Sequence, residues 1–261
     1  MESSIGIVGG GFVGSATAWG FRPVANVKIY DKDPKSSTHS FEDTIKSDFL
    51  FICVPTPPKD DWTTDLSIVE SIFERLPSSD QEVIIKSTVL PGTCRRMSEK
   101  YNLKVSSNPE FLTERRAKWD FINAAQILIG SDNPSSSQKI KELYETRFNS
   151  MKYTLTDTVT SELIKYTLNS FFATKVSFMN ELKMLSDKIG ANWQQLIEGF
   201  TSDSRIGDSH IDVPGPDGKL GFGGKCFPKD INALIELYKR NDIDPMVMQA
   251  AWERNKTLRE L

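Results

Sequence analysis

Hydrophobic residues follow two different rhythms along this chain, and the rhythm changes near residue 156. Before it, short apolar runs recur at residues 4–9, Val27–Tyr30, Phe49–Val54, Val83–Ile85, Leu103–Val105 and Ile127–Ile129. Runs of that length without interleaved polar residues are the mark of strands buried on both faces. Helical patterns lie between them, notably Leu66–Arg75 and Gln138–Phe148, with a further helix start after Gly11. The alternation predicts a mainly parallel sheet covered by helices on both faces. After residue 156 the strand signals stop. Thr160–Lys188 then runs without Gly or Pro, with Leu163, Tyr166, Phe171, Val176, Phe178, Leu182 and Leu185 spread along it. That predicts one long helix, with apolar faces too broad for a lone surface helix, placed in a core or a dimer interface. More helix is predicted at Trp193–Phe200, Lys229–Arg240 and Pro245–Leu261. The division expected is an α/β domain over 1–156 and an all-helical domain over 157–261.

Composition narrows the function classes. The chain has 261 residues, 38% hydrophobic and 26% charged, as in an ordinary globular protein of one or two domains. A formal net charge of −3 builds no basic field for nucleic acid. The longest apolar run, Phe49–Val54, is too short to span a bilayer, and the opening Met-Glu-Ser-Ser has no basic secretory n-region. Cys53, Cys94 and Cys226 are odd in number, far apart and outside any metal-ligand spacing, which suits a reducing compartment, the cytoplasm. His39 and His210 sit in loop-like sequence without metal-ligand neighbours, so no metal is expected.

Two motifs carry chemistry. Gly9-Gly10-Gly11-Phe12-Val13-Gly14 is a G-x-G-x-x-G that follows a strand and opens a helix, with Asp31 at the end of the next strand. Gly9 permits the tight turn, Gly11 lets backbone approach a pyrophosphate, and Gly14 lets helix and strand pack closely. Asp31 would accept hydrogen bonds from an adenosine ribose and repel a 2′-phosphate, favouring NAD over NADP. This makes the sheet domain Rossmann-like. The second motif runs from Gly221 to Asp230, with Phe222 and Gly223 in its glycine turn and Cys226 just before Phe227-Pro228. Pro228 reads as the first helical position, which puts Cys226 at a helix N-terminus, where the dipole stabilises a thiolate.

These segments, with others, resemble the UDP-glucose/GDP-mannose dehydrogenase family. The matching segments are Gly9–Gly14, Val54-Pro55-Thr56-Pro57, Lys86-Ser87-Thr88-Val89, Asn108-Pro109-Glu110-Phe111-Leu112-Thr113-Glu114 and Ser161–Lys165 with Asn169. They continue at Asn180-Glu181, Asp203–Gly207 and Gly223–Asp230. The resemblance implies oxidation of a nucleotide-sugar primary alcohol to the carboxylate in two hydride transfers, with UDP-glucose as the leading substrate and NAD as cofactor. Cys226 would hold the aldehyde as a thiohemiacetal and then a thioester. Lys165 and Asn169, one helical turn apart, would stabilise the alkoxide and oxyanion. Glu110 would be the general base for thioester hydrolysis, and Glu114, one helical turn on, would contact cofactor or sugar and help position the water. Thr88 and Asp230 would hold water and polarise neighbours.

On the same basis Phe12, Val13, Lys35, Val54, Pro55, Thr56 and Thr88 would join Gly9, Gly11, Gly14 and Asp31 around the cofactor. Phe111, Leu112, Lys165, Asn169, Arg205, Phe222 and Gly223 would line the substrate. Arg205 corresponds to a residue that family members extend into a neighbouring subunit, which implies a homodimer built on the helix 160–188.

The sequence also departs from the family. Members normally carry a third α/β domain, whereas this chain stops at Leu261. The segment after Asp31 is short, Arg115 stands where a small residue is usual, and the loop 211–218 is long. A dehydrogenase of GDP-mannose, of a UDP-aminosugar or of a small hydroxy acid, and a non-catalytic dinucleotide-binding protein, stay open as alternatives. Cys226 speaks against the hydroxy-acid reading, because a single hydride transfer requires no thiol.

Overall fold

The computed structural model describes residues 3–260. They divide into two compact units, 1–57 with 64–165, and 58–63 with 166–261. The expected boundary at 156 marks where strands give way to helix, but the two units separate further along the chain, between residues 165 and 166.

The first unit is a seven-stranded sheet of β1 (Ser4–Val8), β2 (Asn26–Tyr30), β3 (Phe49–Ile52), β4 (Glu82–Ile85), β5 (Lys104–Ser107), β6 (Gln126–Gly130) and β7 (Lys152–Thr156). Spatial order is β2-β1-β3-β4-β5-β6-β7, parallel except at the single β5–β6 pair, Ser107 against Gly130. The helices are α1 (Phe12–Phe21), α2 (Phe41–Thr44), α3 (Ser67–Phe73), α4 (Thr93–Tyr101), α5 (Ala117–Ile122) and α6 (Pro134–Glu145). Successive strand residues feed opposite cores. Ile5, Ile7, Phe51 and Ile84 pack with α1, α5 and α6, where Phe21 meets Tyr144 at 5.0 Å between ring centres. Leu50, Ile52, Val83 and Ile85 face Val69, Phe73 and Met97 of α3 and α4. The apolar runs are therefore unbroken because both faces are buried. Strand β7 lies outside the predicted set: it is an edge strand with no fully buried residue, only half-buried and exposed ones, so it carries no apolar run.

The order reverses between β1 and β3, and ligands of open α/β sheets bind in the crevice beyond the strand ends at such a point. The turns after these two strands are in contact, since a Cβ on Gly9 would strike the carbonyl of Cys53.

The predicted long helix is α7 (Thr158–Ile189). The second unit holds most of it, with α8 (Trp193–Thr201), α9 (Phe227–Arg240) and α10 (Met246–Leu258). Its core is Ala173, Phe222, Ile231, Ile235 and Ala251, joined by Val176, Phe227, Met248 and Trp252. No helix of the described residues is long and apolar enough to cross a membrane.

Candidate active site

In the first unit the chain leaves β1 through Gly9 at φ +105° and enters α1 with Gly11 as N-cap. A Cβ on Gly14 would strike the Gly9 carbonyl, so α1 packs against the turn as only glycine allows. No side chain caps α1, and a Cβ on Gly11 would meet nothing within 4 Å. The N-terminal amides therefore face open space, where a diphosphate fits. Asp31 closes the far side. One of its carboxylate oxygens accepts from Gly10 N–H at 2.6 Å and the other from Asp33 N–H at 2.8 Å. Phe12 and Val13 pack their side chains toward the core, leaving their amides to the site. Lys35 is exposed on a single 3-10 turn capped by Asp33. Thr56 is buried and donates to the Thr88 carbonyl at 2.7 Å, while Ser87 donates to the Val54 carbonyl at 2.7 Å. These bonds join the segments after β3 and β4; Pro55 between them is exposed.

Beyond β5 the chain turns through Asn108-Pro109-Glu110, and this turn is deeply buried. The Lys165 ammonium donates to the Glu110 carbonyl at 2.6 Å and to its carboxylate at 3.0 Å. The other carboxylate oxygen accepts from Leu112 N–H at 2.6 Å. Lys165 also lies 5.4 Å above the Phe111 ring. Glu110 and Lys165 are thus a buried ion pair, each already hydrogen-bonded. Glu114 does not follow Glu110 on one helix, as one-turn spacing suggested: residues 108–113 form neither helix nor strand, and Glu114 is exposed on a separate 3-10 turn with Arg115 and Arg116. Beneath the turn, buried Lys86 donates to the Asn108 carbonyl at 3.2 Å and its side-chain oxygen at 2.8 Å. Burial pushes the Lys86 ammonium down to about 8.

In the second unit Cys226 is the N-cap of the 14-residue α9, with Phe227 first and Pro228 second in the helix. Its thiol is exposed, whereas Cys53 and Cys94 are buried. Burial pushes the Cys53 thiol up to about 12 and raises Cys94 well above the ordinary range. One turn into α9, Asp230 is 1% exposed; it accepts from Asn169 Nδ2 and from the Lys229 ammonium, both at 2.5 Å. Asn169 is thereby fixed by a carboxylate. Arg205 points to solvent and pairs with Asp203. Phe222 is core, 3% exposed, so only the glycine turn around it is available to a ligand.

Comparison with known proteins assigns both units. Residues 26–148 match the NAD binding domain of the UDP-glucose/GDP-mannose dehydrogenase family, and residues 159–257 match its central domain. The chain belongs to the UDP-glucose/GDP-mannose dehydrogenase family. A UDP-glucose 6-dehydrogenase of Rickettsia conorii is 41% identical over 219 residues, 80% of this chain and 49% of that protein. The chain thus spans about half the length of the curated relatives it matches. The structure of a UDP-glucose dehydrogenase from Pyrobaculum islandicum aligns over 98% of this chain and 68% of its own, with a TM-score of 0.88 and 28% identity. A 3-hydroxyisobutyrate dehydrogenase of Mycobacterium tuberculosis shares the fold at a TM-score of 0.79 and 17% identity, over 98% of this chain and 94% of its own.

NAD is the cofactor of the family's first domain, and the open, uncapped start of α1 facing Asp31 fits it. Several structural residues of this chain escaped sequence reasoning. His210 stacks on Phe172 at 4.2 Å, and Lys175 donates to the carbonyls of Ile206, Gly207 and Ser209, so the loop after Arg205 is anchored. Glu162, Asn180 and Asn255 are buried and bond to main chain. The family-like segments contain Glu162 and Asn180, but nothing in the linear sequence says which distant amide each will meet.

Proposed function

We propose that the protein oxidises UDP-glucose to UDP-glucuronate with two molecules of NAD. The observation that carries this reading is the exposed Cys226 thiol at the start of α9, while the two other thiols are buried. When bound, NAD accepts the hydride in each oxidation. The Cys226 thiolate adds to the aldehyde carbon left by the first, forming a C–S bond, and the carbonyl oxygen takes a proton. Loss of the second hydride together with the hydroxyl proton leaves a thioester, and water cleaves its C–S bond to release carboxylate, thiol and a proton.

Asn169, its amide held by Asp230, donates to the developing oxyanion, and the Lys165 ammonium supplies charge for the alkoxide. Glu110 takes the proton of the attacking water, with the Lys165 pair and Leu112 N–H fixing its carboxylate. Thr88 and Asp230 hold neighbouring polar groups, Glu114 contacts the sugar or cofactor, Phe111 and Leu112 are the first unit's substrate contacts, and Gly223 is one of the second unit's. Arg205 offers its cation to the diphosphate. The three separated cysteines suit a cytoplasmic enzyme.

A homodimer is part of the reading. Phe171, Phe178 and Leu185, each 54–62% exposed, stand seven residues apart on α7, and Ile189 extends the stripe at 68%. Seven-residue apolar spacing is the seam of paired helices.

The test counts NADH formed per UDP-glucose consumed. Two, falling to none beyond the aldehyde in Cys226→Ala, supports the thioester route. A count of one overturns it. Turnover only with GDP-mannose or a UDP-aminosugar moves the substrate within the family, and NAD binding without turnover on any of them establishes the non-catalytic alternative.

A further inference from the structure

The glycine turn that leads to Cys226 is held in shape by side chains from elsewhere in the second unit. Gly221 and Gly224 both sit at positive φ, +67° and +76°. Gly221 N–H donates to Asn180 Oδ1 at 3.1 Å. Phe222 N–H donates to Asn255 Oδ1 at 2.7 Å, and Asn255 Nδ2 donates back to the Phe222 carbonyl at 3.0 Å. Asn255 thus pairs with Phe222 as a strand neighbour would, and it is 0% exposed. One turn further on, Arg259 Nε donates to the Leu220 carbonyl at 3.0 Å. Its Nη2 donates to both carboxylate oxygens of Asp217, at 3.0 and 2.8 Å. A Cβ on Gly221 would strike Asn255 Oδ1, and one on Gly223 would strike the Arg259 guanidinium. The turn and α10 are therefore fitted surface to surface, and glycine is required where they touch.

Buried backbone groups need partners, and a turn outside helix and sheet has none of its own. Here Asn180, Asn255 and Arg259 supply them for three consecutive residues. The consequence reaches Cys226 through geometry. The helix dipole acts on a thiol only within the first turn, so the acidity of Cys226 depends on where its Sγ stands relative to the first amides of α9. A turn of another shape delivers Cys226 at another angle.

We propose that Asn255 and Arg259 are positioning residues that set the Gly221–Gly224 turn and through it the reactivity of Cys226. The proposal rests on the reading of Cys226 as nucleophile. Neither residue touches substrate in this scheme; both act through the turn, and Asp217 acts by orienting Arg259.

The test measures Cys226 alkylation by iodoacetamide from pH 6 to 10, read by peptide mass spectrometry, in Asn255→Asp, Arg259→Gln and Asp217→Asn. Asn255→Asp keeps the acceptor and replaces the donor with an oxygen facing the Phe222 carbonyl. The expected result is an upward shift of the alkylation midpoint by about one pH unit in the first two variants, and a smaller shift in Asp217→Asn. kcat should fall at least about tenfold while KM for NAD stays within about twofold, because the cofactor grip lies in the other unit. Loss of packing alone would lower the melting temperature without moving the alkylation midpoint, and that result overturns the proposal. Folded variants with the wild-type midpoint and kcat overturn it as well. Should Asn255→Asp fail to fold, Asp217→Asn alters an exposed carboxylate and carries the measurement. The midpoint reads positioning even if UDP-glucose proves not to be the substrate, so the two readings fail separately.

Discussion

Glu162 gives the sharpest quantitative test of the structure. It is 2% exposed near the beginning of α7, and its two carboxylate oxygens accept from Gly92 N–H at 2.5 Å and Cys94 N–H at 2.7 Å. The bonds tie α7 to the start of α4, one turn before Lys165. Burial raises its carboxyl from the ordinary 4.5 to about 7, against the two amides, which favour the charged form. The folded state therefore holds a proton that the unfolded chain has already released. That stabilisation is fully present below pH 4.5 and is lost as pH rises through 7. At about 1.4 kcal/mol per pH unit, the unfolding free energy should fall by about 3 kcal/mol across this window. Glu162→Gln removes the titration and leaves a pH-independent offset. The assay is urea unfolding of both proteins from pH 4.5 to 8, followed by circular dichroism, with the Glu162 carboxyl titrated directly by carbon-13 NMR. A difference between the two proteins that stays flat or rises with pH, or an NMR midpoint below about 5, would show that the paired amides outweigh burial and refute the reasoning.

Three further outcomes are expected. Lys165→Met leaves the Glu110 carboxylate buried without its cation and should cost about 3–5 kcal/mol in urea unfolding, most of it recovered in the double variant with Glu110→Gln. Brief iodoacetamide treatment of the native protein at pH 8 should label Cys226 and spare Cys53 and Cys94, which react only after unfolding; peptide mapping distinguishes the three. On the proposed homodimer, Phe178→Asp should give a monomer in analytical ultracentrifugation without changing the circular dichroism spectrum, since the ring is 54% exposed in the single chain; a wild-type protein that sediments as a monomer refutes the dimer.

Much of the architecture was legible in sequence because it rests on local periodicity. The runs Phe49–Val54 and Val83–Ile85 reach the sheet as β3 and β4, and the Gly- and Pro-free stretch 160–188 became α7. The cofactor turn was legible too. Gly9 needs a backbone angle that few other residues tolerate, and Gly14 needs the absence of a Cβ, so the chemistry is written in residue type and spacing. The place of Cys226 at a helix mouth was legible in the same way from glycines before it and proline after it, although Phe227 rather than Pro228 opens the helix and makes Cys226 its cap.

What only the tertiary structure decided are the partners. Glu110 and Lys165 each looked like an independent catalytic group, yet they form one buried pair. Glu114 shares no helix with Glu110, because the irregular run from Asn108 to Thr113 breaks the register that spacing implied. Strand β7 was silent because an edge strand needs no continuous apolar face. Asn255 lies far along the chain from Phe222, and a buried amide meets a distant backbone only once the helices between them have packed. Periodicity and backbone sterics act over a few residues and so can be read from order alone. Hydrogen-bond pairing and burial depend on which surfaces close on one another, and that is set by the whole fold.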